Sequence, residues 1–286
     1  TISAALILVL LGIGWGLRPL GRLEEALGRR SSVDLRPLAH QVPAEVEPLV
    51  REINQLMERL SSVLNATRTF TGNASHQLRT PLAVAKANLE LALRRDGALE
   101  RNNLIKTAMD ATTRCQQLVE GLLMLAQLDE RGTELGRVGR VDLVEIARDI
   151  TQDLAPVALR KQHRLEFVCK DEKAPVRGDR LLLSEAIRNL IDNAIKHCPD
   201  KSSIYVTVSA REPTQVRVDD NGPGIETACR KNVQERFVRG NKSADGAGLG
   251  LAITQEIARL HQAALILDRS KSGGLSAEFQ FPRDQL

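Results

Sequence analysis

Aromatic residues are scarce in this chain: one Trp, one Tyr and five Phe make up 2% of 286 residues. A surface that stacks the bases of single-stranded nucleic acid needs several such rings, so nucleic acid is not an expected partner. Cysteine is sparse too. Cys115, Cys169, Cys198 and Cys229 form no C-x-x-C pair, and with the five histidines they give no metal-ligand spacing. Such thiols read as buried and reduced, in a domain kept in the cytosol. Neither sign of charge dominates: the net charge is +4 with 27% charged residues, which implies no acidic partner. No uncharged run reaches the ~20 residues that cross a bilayer. What is present is a hydrophobic content of 42%, enough for packed cores and too much for wholesale disorder. The length suits two or three modest domains.

The longest uncharged stretch lies at the front. Ile2 to Leu17 is mostly Leu, Ile, Val, Ala and Gly, and the chain begins at Thr1 rather than Met. Residues 1–17 are therefore expected to be a truncated transmembrane helix. Trp15 sits where an interface anchor belongs, and Arg18, Arg22, Arg29 and Arg30 follow at once. Positive charge after the span places the rest of the chain in the cytoplasm, with the anchor in the inner or plasma membrane. A signal peptide fits less well, because no basic n-region precedes the stretch and no A-x-A-like site follows it. A buried core helix is the other alternative. Beyond Leu17 come a helical pattern to about Arg30, a polar connector (Ser31 to Pro43) and a second helical run from Ala44. Helix, connector and helix below a membrane span resemble a HAMP relay, with Pro19 and Glu47 where that family has Pro and Glu. Residues 18–65 are assigned to it.

The second run continues with a coiled-coil rhythm. Leu56, Leu60, Val63, Thr67, Phe70 and Ala74 alternate steps of 4 and 3, and Leu78, Leu82, Ala85, Leu89 and Ala92 resume it. The seam shifts beside His76, where the step from Ala74 to Leu78 is 4 instead of 3. After Asp96 and Gly97, a second helix carries Leu104, Ala108, Ala111, Cys115, Leu118, Leu122 and Leu125 on an unbroken seam. Two helices cannot bury two such seams alone. A homodimeric four-helix bundle over residues 66–130 can, and a monomeric hairpin resting on the next domain is the alternative. Residues 131–140, with Gly132, Gly136 and Gly139, read as a linker. From 141 to 286 the pattern is α/β. Strands are predicted over Ser203–Ser209, Gln215–Val218 and Leu275–Phe281, and helices near Leu143–Leu154, Arg180–Lys196 and Leu249–Leu260.

His76 lies two residues from both Ala74 and Leu78, so at 100° per residue it points about 200° away from either and faces water. Pro81 lacks an N–H and crowds the carbonyl of Gln77, so a helix broken there and bent beside the imidazole is expected. A neutral imidazole is a competent nucleophile. Ser75-His76-Gln77-Leu78-Arg79-Thr80-Pro81-Leu82 resembles the phosphoacceptor box of two-component sensor histidine kinases. That resemblance implies that His76 is phosphorylated, that Thr80 orients water for a reverse, phosphatase reaction, and that the bundle dimerises. Gln77 departs from the family, which usually has Glu or Asp there. A carboxamide can accept a hydrogen bond but brings no charge.

In the second domain Glu185, Asn189 and Asn193 recur every four residues on one helix face. Amide oxygens suit Mg²⁺, and Lys196 adds a point charge for phosphates. Alone, this would be an ordinary polar face. Asp219-Asp220-Asn221-Gly222-Pro223-Gly224-Ile225 follows a strand. Asp220 can accept from the amino group of adenine, and Gly222 and Gly224 let backbone come close to the base. A plain strand-ending turn is the alternative. Gly246, Gly248 and Gly250 open a helix whose N–H groups can hold phosphate. A dinucleotide fold would need a strand just before them, and Asn241 to Asp245 is loop.

Together these stretches resemble the N, G1 and G2 boxes of the histidine kinase, gyrase and Hsp90 ATP-binding fold. Glu235 to Gly240 resembles its F box, on a lid from about Glu226 to Asp245. The resemblance implies that Asn189 and Asn193 hold Mg²⁺, that Lys196 and Arg239 meet phosphates, and that Asp220 reads adenine. Leu275 stands where Thr is common after the Gly pair, and Ala263 and Ala264 replace a usual Gly pair. The expected architecture is multidomain: a dimeric four-helix bundle, then an α/β sandwich. The implied reaction moves phosphate from ATP to His76 and on to an Asp of a response regulator protein. Two rivals are an ATP-hydrolysing clamp of the gyrase class, which gives the His76 box no purpose, and a scaffold that cannot use ATP, which gives the glycine boxes none.

Overall fold

The computed structural model describes residues 2, 34, 36–38, 47–131, 138–169, 171–211, 213–230, 232–234, 236, 238 and 248–282, the side chains of 129–131 excepted. The expected membrane helix, apart from Ile2, and the first relay helix lie outside the described residues. Among the described residues no helix is long and apolar enough to cross a membrane. The chain packs as two compact units, residues 1–72 and 73–286.

In the first unit, Leu38 of the polar connector is 4% exposed and packs on Val50 and Ile53. Its backbone explains why: Asn54 Oδ1 accepts from Leu38 N at 2.6 Å, and Asn54 Nδ2 donates to Leu38 O at 3.4 Å. One side chain thus satisfies both backbone groups of a residue outside regular structure.

Helix α1 is Glu47–Leu93 and contains Pro81; helix α2 is Ala98–Arg131. The expected break at Pro81 is absent. Proline removes the hydrogen bond to Gln77 O, yet the turns on either side have their own, and a 47-residue helix runs through one missing bond. The α1 and α2 seams meet at Ala85, Ala108 and Ala111. Cys115 Sγ lies 3.9 Å from Leu78 O across the hairpin. Leu82 and Leu89, on the same seam, stay 56% and 49% exposed.

The α/β part opens with β1 (Gly139–Asp142), which pairs antiparallel with β3 (Pro175–Gly178) and so begins inside the stretch read as linker. Helix α3 (Leu143–Arg160) follows, capped by Asp142, whose Oδ1 accepts from Val144 N and Ala174 N, both at 3.0 Å. Strand β2 (Arg164–Cys169) leads through β3 to helix α4 (Arg180–His197), capped by Asp179. Strands β4 (Ser203–Ser209) and β5 (Gln215–Asp220) come next. A 3-10 turn at Asn232–Gln234, helix α5 (Gly250–Leu260), β6 (Ala264–Arg269) and β7 (Leu275–Gln280) complete the domain.

Five strands form one mixed sheet in the order β2-β4-β5-β7-β6, with β2 and β4 parallel and the other pairs antiparallel. Alternation decides its faces: Ile204, Val206 and Val208 of β4 and Val216 and Val218 of β5 are buried, and their neighbours in sequence are half-buried. Helices α3, α4 and α5 supply the other half of the core through residues such as Ile146, Ile150, Leu190, Ile191 and Ile257, all 3% exposed or less. Each such side chain contributes about 1.5–3 kcal/mol by leaving water. The helical part followed by an α/β sandwich is the architecture expected from the sequence.

Candidate functional site

One face of α4 and the C-terminal end of β5 open onto a cleft of about 890 Å³. Asn189, Asn193, Lys196, Asp220, Gly224, Gly248 and Gly250 all line it, so residues from three separated motifs meet in one place. The i, i+4 spacing on α4 makes this possible, because it stacks the three polar side chains along the wall.

Asp220 is the most constrained of them. It is 5% exposed, and its Oδ1 accepts from Gly222 N at 2.8 Å and from Leu275 N at 3.1 Å. Ser270 Oγ donates to its backbone oxygen at 2.5 Å. A buried carboxylate held by two amides is fixed in direction, as a reader of a donor group must be. Gly222 and Gly274 give it space, and the backbone takes a left-handed turn at Gly224 and Gly248. Gly224 has φ of 69° and Gly248 has φ of 67°, a region L side chains avoid. A Cβ on Gly274 would collide with Asp220 Oδ1 and would stand 2.6 Å from Gly222 N.

Asn189 Nδ2 donates to Glu185 Oε1 at 3.3 Å, and its Oδ1 lies 3.4 Å from where a Cβ on Gly250 would be. The amide oxygen is thus turned toward the glycine-rich turn, and Asn193 lines the same cleft. Hard, neutral oxygen donors next to a glycine-rich turn fit Mg²⁺. Lys196 is paired with Asp192 at 2.5 Å, so its charge enters the cleft partly balanced. Helix α5 begins after Leu249 with no side-chain hydrogen bond at its N-cap, leaving its first amides to other acceptors. Arg239 and Gly246 lie outside the described residues, as does half of the predicted lid.

His76 is exposed, as its angular position on α1 requires, and Gln77 is half-buried. Thr80 Oγ1 donates to His76 O at 3.3 Å, one turn back along the helix. Two of the other histidines are structural. His163 is 6% exposed: its Nδ1 accepts from Ser202 N at 3.2 Å and its Nε2 lies 3.2 Å from Ile195 O. His261 is fully buried, and its Nε2 accepts from Asp179 N at 3.1 Å.

Three features of the cleft escape the sequence motifs. Cys198, directly after α4, lines it beside Asp220. Leu275, the departure from the family's Thr, fixes Asp220 through its amide, a role indifferent to side-chain type. Helix α2 also reaches the cleft: Gly121 packs on α5, with the position of a Cβ 3.2 Å from Leu249 Cδ1. The hairpin thus rests on the α/β domain, and Leu82 and Leu89 still face out.

Comparison with known proteins gives this geometry a family. Residues 178–285 match the "Histidine kinase-, DNA gyrase B-, and HSP90-like ATPase" family, residues 66–131 the "His Kinase A (phospho-acceptor) domain", and residues 17–62 the "Sensor protein PhoQ-like, HAMP domain". Sensor protein QseC of Salmonella typhi is 37% identical over 95% of this chain, which spans 60% of that relative's length. Sensor protein BasS of Escherichia coli is 31% identical over 94% of this chain and 73% of its own. Among solved structures, the Acinetobacter baumannii histidine kinase AdeS shares the fold with a TM-score of 0.59 at 18% identity, covering 73% of this chain and 98% of that one. Full-length ShkA, crystallised in complex with AMPPNP, gives 0.54 at 23% identity over 76% of this chain and 45% of its own. With a phosphoacceptor helix pair, an Asn-, Asp- and Gly-lined cleft, and relatives of this similarity, the chain belongs to the two-component sensor histidine kinases.

Proposed function

We propose that this chain transfers the γ-phosphoryl group of ATP to His76 and then to an aspartate of a response regulator. The observation that carries this reading is the convergence of Asn189, Asn193, Lys196 and Asp220 on one cleft, in a chain that also presents His76 to solvent. Asp220 accepts from the amino group of adenine. The amides at the start of α5, with Gly248 and Gly250, take the phosphates, and Lys196 and Arg239 add positive charge. Asn189 and Asn193 would hold Mg²⁺, which neutralises phosphate charge when bound. A neutral ring nitrogen of His76 attacks the γ-phosphorus, the bond to the β-bridging oxygen breaks, and ADP leaves with its electron pair. Positioning and charge neutralisation supply most of the rate. The AMPPNP in the ShkA structure supports a nucleotide in this fold. Thr80, exposed one turn beyond His76, supports a further role in holding water for regulator dephosphorylation.

The proposed organisation is a membrane anchor in residues 1–17, a relay in 18–65, a dimerising bundle in 66–130, a linker in 131–140 and a catalytic domain in 141–286. Exposed Leu82 and Leu89 support a second copy as the bundle's partner, and the HAMP match supports anchoring in the inner or plasma membrane.

Incubation with labelled ATP and Mg²⁺ tests the reading. The expected product is acid-labile phosphohistidine, and His76→Gln removes all of it while ATP still binds. Released phosphate without labelled protein would instead identify a hydrolysing clamp, and absence of both a scaffold. Label persisting on His40, His163, His197 or His261 would overturn the choice of His76.

A further inference from the structure

Cys198 stands in the nucleotide cleft, and no step above uses it. It is the C-cap of α4, its N–H bonded to Ala194 O at 3.1 Å, and it is 6% exposed. The turn that carries it is held from behind. Lys161 Nζ donates to Ile195 O at 3.0 Å and to Lys196 O at 3.3 Å, a cation placed on the carbonyl end of a helix. His163 lies on the same Ile195 carbonyl. The thiol therefore has a fixed origin.

Its neighbour is Asp220. A Cβ on Gly222 would lie 2.7 Å from Cys198 Sγ and 3.1 Å from Asp220 Oδ1, so thiol and carboxylate flank a single point that only glycine leaves open. The thiol stays protonated, because burial first and then the Asp220 carboxylate push it up to about 12. It is an S–H donor at all physiological pH, facing a carboxyl group whose Oδ1 already accepts from two amides. The two amides on Oδ1 come from Gly222 and Leu275, on either side of the β5 end. Cys198 approaches from a third element, α4.

Building on the reading that the cleft binds ATP, we propose that Cys198 is a positioning residue for base selection. Its S–H, lying against the Asp220 carboxylate, helps fix the orientation in which that carboxylate accepts from the exocyclic amino group of an adenine nucleotide.

The test is a ratio of affinities measured on the whole chain. ATP and inosine triphosphate differ at the 6-position, amino in one and oxo in the other, and share every phosphate contact. Equilibrium binding of each is compared in the native chain, Cys198→Ser and Cys198→Ala. The native chain should favour ATP. Cys198→Ser should keep the ratio, since a hydroxyl donates at least as well as a thiol. Cys198→Ala should cut the ratio about threefold, through weaker ATP binding alone, as expected for losing one weak donor. If Cys198→Ala fails to fold, Cys198→Val removes the donor while filling its space, and the same threefold loss is expected. Equal weakening of both nucleotides by Cys198→Ala would show a merely structural residue and overturn the proposal. So would a serine variant that behaves like alanine. A native chain that binds ATP no better than inosine triphosphate would overturn the adenine-reading role of Asp220 itself, which the native measurement reveals before any variant is made.

Discussion

In the α/β domain, Ile191 of α4 and Ile204 of β4 have no exposure at all; in the helical hairpin, Leu82 and Leu89 keep 56% and 49% of theirs. Both pairs occupy the apolar positions of a regular pattern, one with a strand or buried-helix period and one with a heptad. The first pattern is closed by elements of the same chain. In the second, the two helices of the hairpin meet at Ala85, Ala108 and Ala111, and Leu118 and Leu125 of α2 are buried as well, while Leu82 and Leu89 of α1 are left open. Small residues where the helices meet and large α1 leucines facing out describe half of a bundle. One domain is complete in a single copy; the other leaves an apolar α1 seam open, which the proposed second copy would cover.

The largest expected effect breaks that contrast on the hairpin side. Leu82→Asp with Leu89→Asp places charges on the outward seam, and the chain should sediment as a monomer where the native chain sediments as a dimer. Nucleotide binding should be unchanged, because the cleft is formed within one chain. A dimer that survives both charges would show that the outward leucines do not form the interface. Next in size is the reciprocal change. Ile191→Ala opens a cavity in a closed core and should cost the α/β domain about 2–5 kcal/mol, read from denaturant unfolding, without altering oligomeric state. A loss below about 0.5 kcal/mol would show a core that relaxes freely around the gap.

The same contrast governs what the sequence made legible. The α2 seam could be read residue by residue, because 3.5-residue spacing survives without knowledge of the partner. Strands β4, β5 and β7 were legible from alternation. β6 was not, because Ile266 stands 40% exposed between buried Leu265 and Leu267 and hides the period. β1 has only four residues, too few to show one. In the site, Asp220 and the Asn pair announced themselves as motifs. Cys198 did not, since a single cysteine has no spacing to interpret. The grip of Leu275 on Asp220 joins residues 55 apart in sequence, and only the folded sheet brings them together.

A smaller effect tests the reaction on the hairpin. In the proposed reaction, positive charge develops on the His76 ring as the phosphorus–nitrogen bond forms. A carboxylate next to it stabilises that charge, and Gln77 supplies a dipole instead. Charged hydrogen bonds are roughly twice as strong as neutral ones. A difference of about 1.4 kcal/mol in the transition state is about tenfold in rate. Gln77→Glu should autophosphorylate about tenfold faster at unchanged ATP affinity. A variant no faster than the native chain would remove the missing carboxylate as the limit. Gln77→Ala separates a second role: if it still supports normal dephosphorylation of the regulator, Gln77 does not hold the attacking water.

The smallest effect is a pH dependence confined to the closed domain. His261 Nε2 accepts from Asp179 N, so the ring proton sits on Nδ1 and is donated to Ile257 O at 2.8 Å. A second proton would have to enter at Nε2, against an amide already pointing there. Burial accordingly pushes His261 below the usual imidazole range, with the Ile257 carbonyl and the Asp179 charge pulling the other way. In the unfolded chain the ring titrates at about 6.5. As pH falls past that value the unfolded state takes up the proton first, so unfolding becomes easier. The contribution of His261 is complete above the unfolded value and declines as pH falls from there toward the lower folded-state value. His261→Gln keeps an acceptor for Asp179 N–H and has no proton to gain. Thermal unfolding of both forms between pH 7.5 and 5 isolates the residue, because every other titrating group is shared. The native midpoint should fall more steeply than that of the variant. Parallel curves would mean that the buried ring is charged as readily folded as unfolded.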